Sequence, residues 1–182
     1  NTDNMLLSGE TIDFGPCAFM DGYDSAAVYS SIDHGSRYAY RNQPAITQWN
    51  LACLGQSLLP FIADDETAAT EAAQAVLNAF PDFYMNAYFE RLRGKFGLGE
   101  KKDADEALMQ EFLDLLEAGR HDFTLAFRRL ADIAAEENES EVGELFDFTG
   151  SFNSWIERWQ QRCTQESISA AQRQAQMRAT NP

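Results

Sequence analysis

Apolar residues recur at helical spacing through most of the chain after residue 43, whereas residues 1–43 contain only short apolar runs. Residues 44–62 are predicted to form the first helix, with Pro44 in its first turn, where the missing N–H costs nothing. The apolar stripe of this helix consists of Ile46, Trp49, Leu51, Leu54, Leu58 and Phe61. The earlier residues, rich in Gly, Asp, Ser and Tyr, predict loops with one small hairpin.

The next two helical stretches are bounded by residues that break or start helices. The second stretch covers residues 67–79, should break or kink at Pro81, and continues over residues 83–96. Asp103 is predicted to open a third helix, for which Gly119 is a natural stop.

The remaining chain continues the helical pattern. Asp122 is predicted to cap a fourth helix, residues 136–144 to form an acidic loop, and a last helix to run from residue 152 to about residue 177. The chain is therefore expected to be mainly α, with a loop region at residues 1–43 that carries the chemistry and a helical body at residues 44–182.

Composition narrows the possible partners. The chain has 14 Lys and Arg residues against 29 Asp and Glu, a formal net charge of −15, which predicts no nucleic acid and no membrane surface as a partner. The sequence contains no apolar run of about 18 residues, so we predict no membrane span. The three cysteines, Cys17, Cys53 and Cys163, are too few and too separated for a disulfide framework or a zinc site. We expect a cytoplasmic protein of bacterial type, or a mitochondrial one if the source is eukaryotic.

The predicted hairpin carries the candidate chemistry. A two-residue turn at Ser8-Gly9 would place Asn4 opposite Asp13, and directly opposed residues have Cβ atoms about 4.5–5.5 Å apart. An amide oxygen and a carboxylate at that separation can share a small hard cation such as Mg²⁺. Asp3, one residue earlier, would then be free to accept a proton from a hydroxyl group. From spacing alone, an ordinary hairpin with Asn and Asp at its open end remains an alternative.

Protein kinases use a related order of residues: a catalytic Asp, a metal-binding Asn, a hairpin, and then Asp-Phe-Gly with a second metal-binding Asp. Asp13-Phe14-Gly15 matches the last of these. In this chain, however, Asp3 and Asn4 are adjacent, whereas kinases separate the two residues by four others, which argues against an ordinary kinase.

The segments NTDN and TIDFGP, together with several motifs downstream, closely resemble the selenoprotein O family of kinase-like protein adenylyltransferases. Residues 19–24, FMDGYD, are similar to one family motif. Asp33-His34, Arg37-Tyr38, Gln43-Pro44 and Trp49-Asn50-Leu51 match a second, longer pattern. Ser36 departs from that pattern, in which we expect Gly. The matches are dense over residues 1 to about 60.

The resemblance implies a protein-kinase-like C-terminal lobe portion with one short β-hairpin near its N-terminus. It assigns Asp3 as the proton acceptor and Asn4 and Asp13 as the Mg²⁺ ligands, with Mn²⁺ as a possible substitute. The implied reaction transfers AMP from ATP to a Ser, Thr or Tyr hydroxyl of another protein. Kinase-like enzymes also need an N-terminal lobe, which cannot be located before Asn1, so we expect this chain alone to bind ATP weakly and to transfer nothing.

Two other functions remain open. The same site could transfer the γ-phosphoryl group as a protein kinase does, or the chain could be a non-catalytic, acidic helical module that docks a basic partner. Arg37 and Tyr38 either orient their loop or face a phosphate. Cys163 does not match the setting of the family's redox-active cysteine. Trp155 and Trp159, four residues apart, are expected in the core.

Overall fold

The computed structural model describes residues 2, 5–10, 18–135 and 150–181. These residues form six α-helices, preceded by a short 3₁₀ turn at Tyr40–Asn42: α1 (Gln43–Ile62), α2 (Glu66–Lys95), α3 (Asp105–Gly119), α4 (Phe123–Ile133), α5 (Gly150–Cys163) and α6 (Ala170–Thr180). The only β-type pairing in the described part is an isolated bridge between Gly22 and Asp122. The prediction of a mainly α fold is confirmed.

The chain divides into two compact units. The first comprises Asn1–Phe19 and Ser25–Ala87, and the second comprises Met20–Asp24 and Tyr88–Pro182. The predicted division separates a catalytic region, residues 1–43, from a helical body, residues 44–182. The two compact units do not test this functional division, which stays a prediction. Within the part of the chain that the structure describes, no helix combines the length and the apolar character needed to cross a bilayer.

An aromatic cluster forms the core of the second unit. Phe112 lies with its ring centroid 4.6 Å from that of Trp155, and Phe96 lies 5.1 Å from Phe127. Trp155 and Trp159 are fully buried, as the sequence predicts. Their indole N–H groups donate to the carbonyl oxygens of Leu108 and Phe96, so burial leaves neither donor unsatisfied. Helix α3 packs against α5, and α4 packs against α6.

Helix α1 matches the prediction to within one residue, but α2 does not break at Pro81. Pro81 lies inside a continuous helix of 30 residues. A proline has no N–H to offer the carbonyl four residues earlier, which here belongs to Leu77. The side chain of Gln48 donates to that carbonyl oxygen at 2.9 Å. A residue of α1 therefore satisfies the group that Pro81 leaves unpaired.

The boundaries of α3 and α4 follow the predicted caps with one shift. Helix α3 begins at Asp105 instead of Asp103, and Asp105 Oδ2 accepts from the backbone N–H of Lys102 at 2.9 Å. It ends at Gly119, as predicted. Asp122 caps α4, since its side chain accepts from the N–H of Leu125 at 2.7 Å.

The predicted last helix is two helices. Helix α5 ends at Cys163 and α6 begins at Ala170, so the single helix expected over residues 152–177 is wrong. Helix α6 begins with a capping box, in which the side chains of Ser169 and Gln172 each accept a hydrogen bond from the other residue's backbone N–H. The predicted acidic loop at residues 136–144 lies outside the described residues.

A buried ionic network ties α5 to the start of α3. Arg162 Nε donates to Asp105 Oδ1 at 2.6 Å, and its Nη1 lies 2.7 Å from Glu166 Oε1. The side chains of Arg162, Asp105 and Glu166 are 8%, 1% and 3% exposed. Hydrogen bonding to Asp105 raises the pKa of Arg162 still further above its usual range. Glu166 also accepts from the backbone N–H of Gly99 at 3.2 Å, which fixes the loop between α2 and α3.

Candidate functional site

The three predicted catalytic and metal-binding residues, Asp3, Asn4 and Asp13, lie outside the described residues. Their roles therefore stay predictions. The chemistry of the set fits Mg²⁺, because a carboxylate and an amide supply the oxygen ligands that this ion prefers. Among the described residues, no group of three His, Cys, Asp or Glu side chains is placed to hold a metal ion.

The turn between Asn4 and Asp13 in the sequence is described. The backbone turns at Leu7 and Ser8. Gly9 follows with φ of +72°, a conformation that glycine adopts without strain. The N–H of Glu10 donates to Ser8 Oγ at 3.3 Å.

The observed turn lies one residue earlier than the predicted Ser8-Gly9 turn, and Met5, Leu6 and Leu7 do not form a strand. Thr11 and Ile12, which would pair with them in the hairpin, lie outside the described residues. The pairing of Asn4 with Asp13 therefore stays a prediction.

Helix α1 supports the segment that contains this turn. Asn50 is 6% exposed, and its side-chain Nδ2 donates to the sulfur of Met5 at 2.7 Å. Both residues line a cavity of about 500 Å³ within the first unit. The other described residues that line it come from the turn segment and from α1: Thr2, Leu6, Leu7, Gly9, Leu51, Cys53, Leu54 and Ser57.

A loop in front of α1 is built around Asp33. Its two carboxylate oxygens accept from the backbone N–H groups of Arg37 and Tyr38, at 2.9 and 2.8 Å. The loop includes Ser36 with φ of +55°. This left-handed conformation costs a non-glycine residue roughly 1–2 kcal/mol. The expectation of Gly at this position thus has a physical basis, and the surrounding hydrogen bonds hold Ser36 in the strained conformation.

The start of α1 closes the same loop. Asn42 Nδ2 donates to the carbonyl oxygen of Ser36, and Gln43 Nε2 donates to that of Tyr38, both at 2.8 Å. These side chains join residues that the sequence pattern separates. The motif DHxxRY and the residues before Pro44 therefore form one folded loop.

Arg37 projects from this loop over an aromatic side chain. Its guanidinium carbon lies 4.7 Å from the Trp49 ring centroid and 5.8 Å from that of Tyr38, distances typical of cation–π contacts. Arg37 is exposed, and no ion pair with a carboxylate occurs for it among the described residues. The contact holds the guanidinium in place while leaving its donors available. It is compatible with both predicted roles, orienting the loop and facing a phosphate.

Residues 20–24 of the FMDGYD motif have a structural role in the second unit. The N–H of Tyr23 donates to the carbonyl oxygen of His121 at 2.8 Å, and the N–H of Phe123 donates to that of Asp21 at 2.9 Å. The Tyr23 ring is buried and stacks on Phe123 with centroids 5.5 Å apart. Residues 20–24 are therefore anchored at the turn between α3 and α4.

Comparison with known proteins decides the family. The family model described as protein adenylyltransferase SelO matches residues 1–182. The chain belongs to the SelO family. The protein nucleotidyltransferase YdiU of Bradyrhizobium diazoefficiens is 48% identical over 182 residues, covering 100% of this chain and 37% of its own length. The proteins of the same name from Rhizobium etli strain CIAT 652 and Rhodopseudomonas palustris strain BisB18 are 48% and 47% identical, with the same coverage.

The chain thus spans about 37% of the length of these SelO-family relatives. Family membership confirms the resemblance inferred from the motifs at residues 1–60. It also extends the similarity through the later helices, where the sequence pattern alone shows only helical texture.

Cys163 is a buried thiol within the SelO-family chain. It is 5% exposed, and burial raises its pKa to about 11. Because the thiolate is the reactive form, this residue is chemically inert near neutral pH. The expectation that Cys163 is not the family's redox-active cysteine stays a prediction. Cys53, by contrast, is half-buried and lines the cavity below the turn.

Sequence reasoning missed Asn50 as a partner of the turn segment. The residue belongs to the Trp49-Asn50-Leu51 motif, but its bonding partner Met5 lies 45 residues away. Asn50 lies directly beside the apolar stripe of a predicted helix, but nothing in the sequence identifies Met5 as its partner.

Proposed function

We propose that the full-length protein containing this chain transfers AMP from ATP to Ser, Thr or Tyr hydroxyls of other proteins in a Mg²⁺-dependent reaction. This chain would supply the catalytic part of a kinase-like C-terminal lobe. The observation that carries the proposal is the match of residues 1–182 to the SelO adenylyltransferase model. Relatives at 46–48% identity, named protein nucleotidyltransferases, support it.

The proposed reaction assigns one role to each predicted residue. The hydroxyl oxygen of the substrate attacks the α-phosphorus of ATP, the bond to the bridging oxygen breaks, and pyrophosphate leaves. The carboxylate of Asp3 accepts the hydroxyl proton as the new ester bond forms. Asn4 and Asp13 would hold Mg²⁺, or Mn²⁺ in its place, which when bound neutralises charge on the transferring and leaving phosphates.

The described residues support this arrangement indirectly. A turn lies between Asn4 and Asp13 in the sequence, and Asn50 of α1 contacts the segment just after Asn4. The exposed guanidinium of Arg37, which lies over the Trp49 ring, is suited to contact a nucleotide phosphate or an acidic substrate side chain. Positioning of this kind supplies much of the rate enhancement in phosphoryl-type transfer.

Separate variants of the two carboxylates test the assignment in the full-length protein. Asp13→Ala should lose Mg²⁺-dependent transfer of label from α-labelled ATP, because a metal ligand is gone. Asp3→Ala should retain nucleotide binding while turnover falls about 100-fold or more, the scale typical of a general base. Asp64→Ala, a change at an exposed residue between α1 and α2, is the matched control and should leave transfer unchanged. Full transfer by either active-site variant would remove its assigned role.

A further inference from the structure

The contact between Asn50 and Met5 has no evident value for stability. The amide of Asn50 is almost fully buried, yet its Oδ1 atom has no hydrogen-bond donor among the residues that the structure describes. An unsatisfied buried oxygen costs about 1–3 kcal/mol. The acceptor of the Nδ2 hydrogen bond is a thioether sulfur, which is a weak acceptor. An apolar residue such as leucine would fill this position without either disadvantage.

The position of the contact between Asn50 and Met5 indicates a role other than stabilising the fold. Met5 directly follows Asn4 in the sequence, and its side chain is fixed to the middle of a 20-residue helix. The other described residues that line the same cavity belong to the turn segment on one side and to α1 on the other. Asn50 is therefore the polar link between the helix and the segment that carries a predicted metal ligand.

We propose that Asn50 is a positioning residue that fixes the backbone after Asn4 onto α1 through Met5. The proposal rests on the function proposed above, since the property it protects is the placement of the metal-binding residues. A positioning role predicts that loss of the Asn50 amide weakens the Mg²⁺ dependence of transfer without lowering the free energy of unfolding. A purely structural role predicts a loss of stability instead. Residues that orient metal ligands from outside the coordination shell typically contribute 10- to 100-fold in metal affinity or activity.

The first test compares Asn50→Leu with wild type in the full-length protein. We expect the Mg²⁺ concentration for half-maximal AMP transfer to rise about tenfold or more. The free energy of unfolding should stay equal or increase, because an unsatisfied buried oxygen is removed. Asn78→Leu, a change on the exposed surface of α2, is the matched control and should alter neither quantity. Unchanged metal dependence in Asn50→Leu, or a loss of activity that parallels a loss of stability, would overturn the proposal.

The second test uses the partner residue. Met5→Leu keeps an apolar side chain of similar volume and removes the sulfur acceptor. If the two residues act together, the double variant Asn50→Leu/Met5→Leu should be impaired no more than the worse single variant. Independent, multiplicative losses in metal dependence would contradict the coupling.

The third test does not depend on enzymatic activity. Cys53 lines the same cavity and is a free thiol. If Asn50 holds the turn segment against α1, Asn50→Leu should increase the rate at which iodoacetamide labels Cys53, followed by mass spectrometry of the peptide that contains it. Equal labelling rates in wild type and variant would overturn the proposal even if AMP transfer itself proved absent. Faster labelling in a protein without transfer would instead contradict the proposed function alone.

Discussion

Two arginines on α5 test how burial changes the contribution of an ion pair to the free energy of folding. Arg158 and Arg162 lie one helical turn apart. Arg158 makes two hydrogen bonds with Glu111 at the surface, where the two side chains are 50% and 42% exposed. Arg162 binds Asp105 and Glu166, whose side chains are 1% and 3% exposed. The same substitution at both positions therefore compares an exposed pair with a buried network.

The expected magnitudes differ because of what each substitution leaves behind. Arg162→Met strands two buried carboxylates, and removing one partner of a buried ion pair typically costs about 3–5 kcal/mol. At 1.4 kcal/mol per tenfold change, this lowers the local folding equilibrium constant by about 100-fold to several thousand-fold. Arg158→Met leaves Glu111 in water, so its effect should stay below about 1 kcal/mol.

Native-state hydrogen exchange of the α5 amides in the full-length protein measures both effects at the site itself. A variant that combines Arg162→Met with Asp105→Asn and Glu166→Gln should recover part of the loss, because the stranded charges are gone. Similar protection factors for Arg158→Met and Arg162→Met, or no recovery in the combined variant, would show that burial does not determine how much these ion pairs stabilise the fold.

Three further predictions concern single positions. Gly97→Ala should lower the free energy of unfolding, measured by chemical denaturation, by about 2–4 kcal/mol. Gly97 has φ of +67°, and a Cβ there would lie 2.5 Å from Arg173 Cγ. A neutral effect would contradict this close packing. Gln48→Met should cost about 1–3 kcal/mol by stranding the Leu77 carbonyl, and its effect should vanish when Pro81 is replaced by Ala, which restores an N–H donor. Burial raises the pKa of Cys163 to about 11 while an unfolded thiol ionises near pH 8.5, so the stability that it contributes is complete below pH 8.5 and falls by about 3 kcal/mol as the pH approaches 11. The pH profile of Cys163→Ala should lack that decline, and matching profiles would show that the thiol is not protected.

Much of the helical framework could be predicted because its signals are local. Asp122 caps α4 with its own side chain, and Gly119 ends α3, so a few neighbouring residues determine each boundary. The start of α6 is equally local, since Ser169 and Gln172 have capping-box spacing. The apolar pattern across residues 152–177 nevertheless favours one helix, because its periodicity continues past the capping signal.

The features that the sequence does not predict arise from contacts between distant residues. Pro81 fits inside α2 because Gln48, 29 residues before Leu77, satisfies the carbonyl that the proline leaves unpaired. Asn50 meets Met5 across 45 residues of sequence. No periodicity or local propensity reports such pairings, because they exist only after the elements pack.

For the candidate site, local spacing is less informative than the combination of motifs along the chain. Local spacing indicates that Asn4 and Asp13 could share a cation, but an ordinary hairpin explains the same spacing. The combined motifs indicate the family, which the match over residues 1–182 confirms. The loop around Asp33 then shows why those motifs contain the residues they do, since Asp33, Asn42 and Gln43 bind backbone groups of the loop.

AMP transfer and phosphoryl transfer differ in which phosphate of ATP becomes attached to the protein substrate. The direct measurement incubates the full-length protein and a protein substrate with Mg²⁺ and either α-labelled or γ-labelled ATP in parallel. We expect that label from the α-position becomes covalently attached to protein, that label from the γ-position is released as pyrophosphate, and that Asp13→Ala abolishes attachment. Attachment of the γ-label instead, or of neither label, would contradict this expectation.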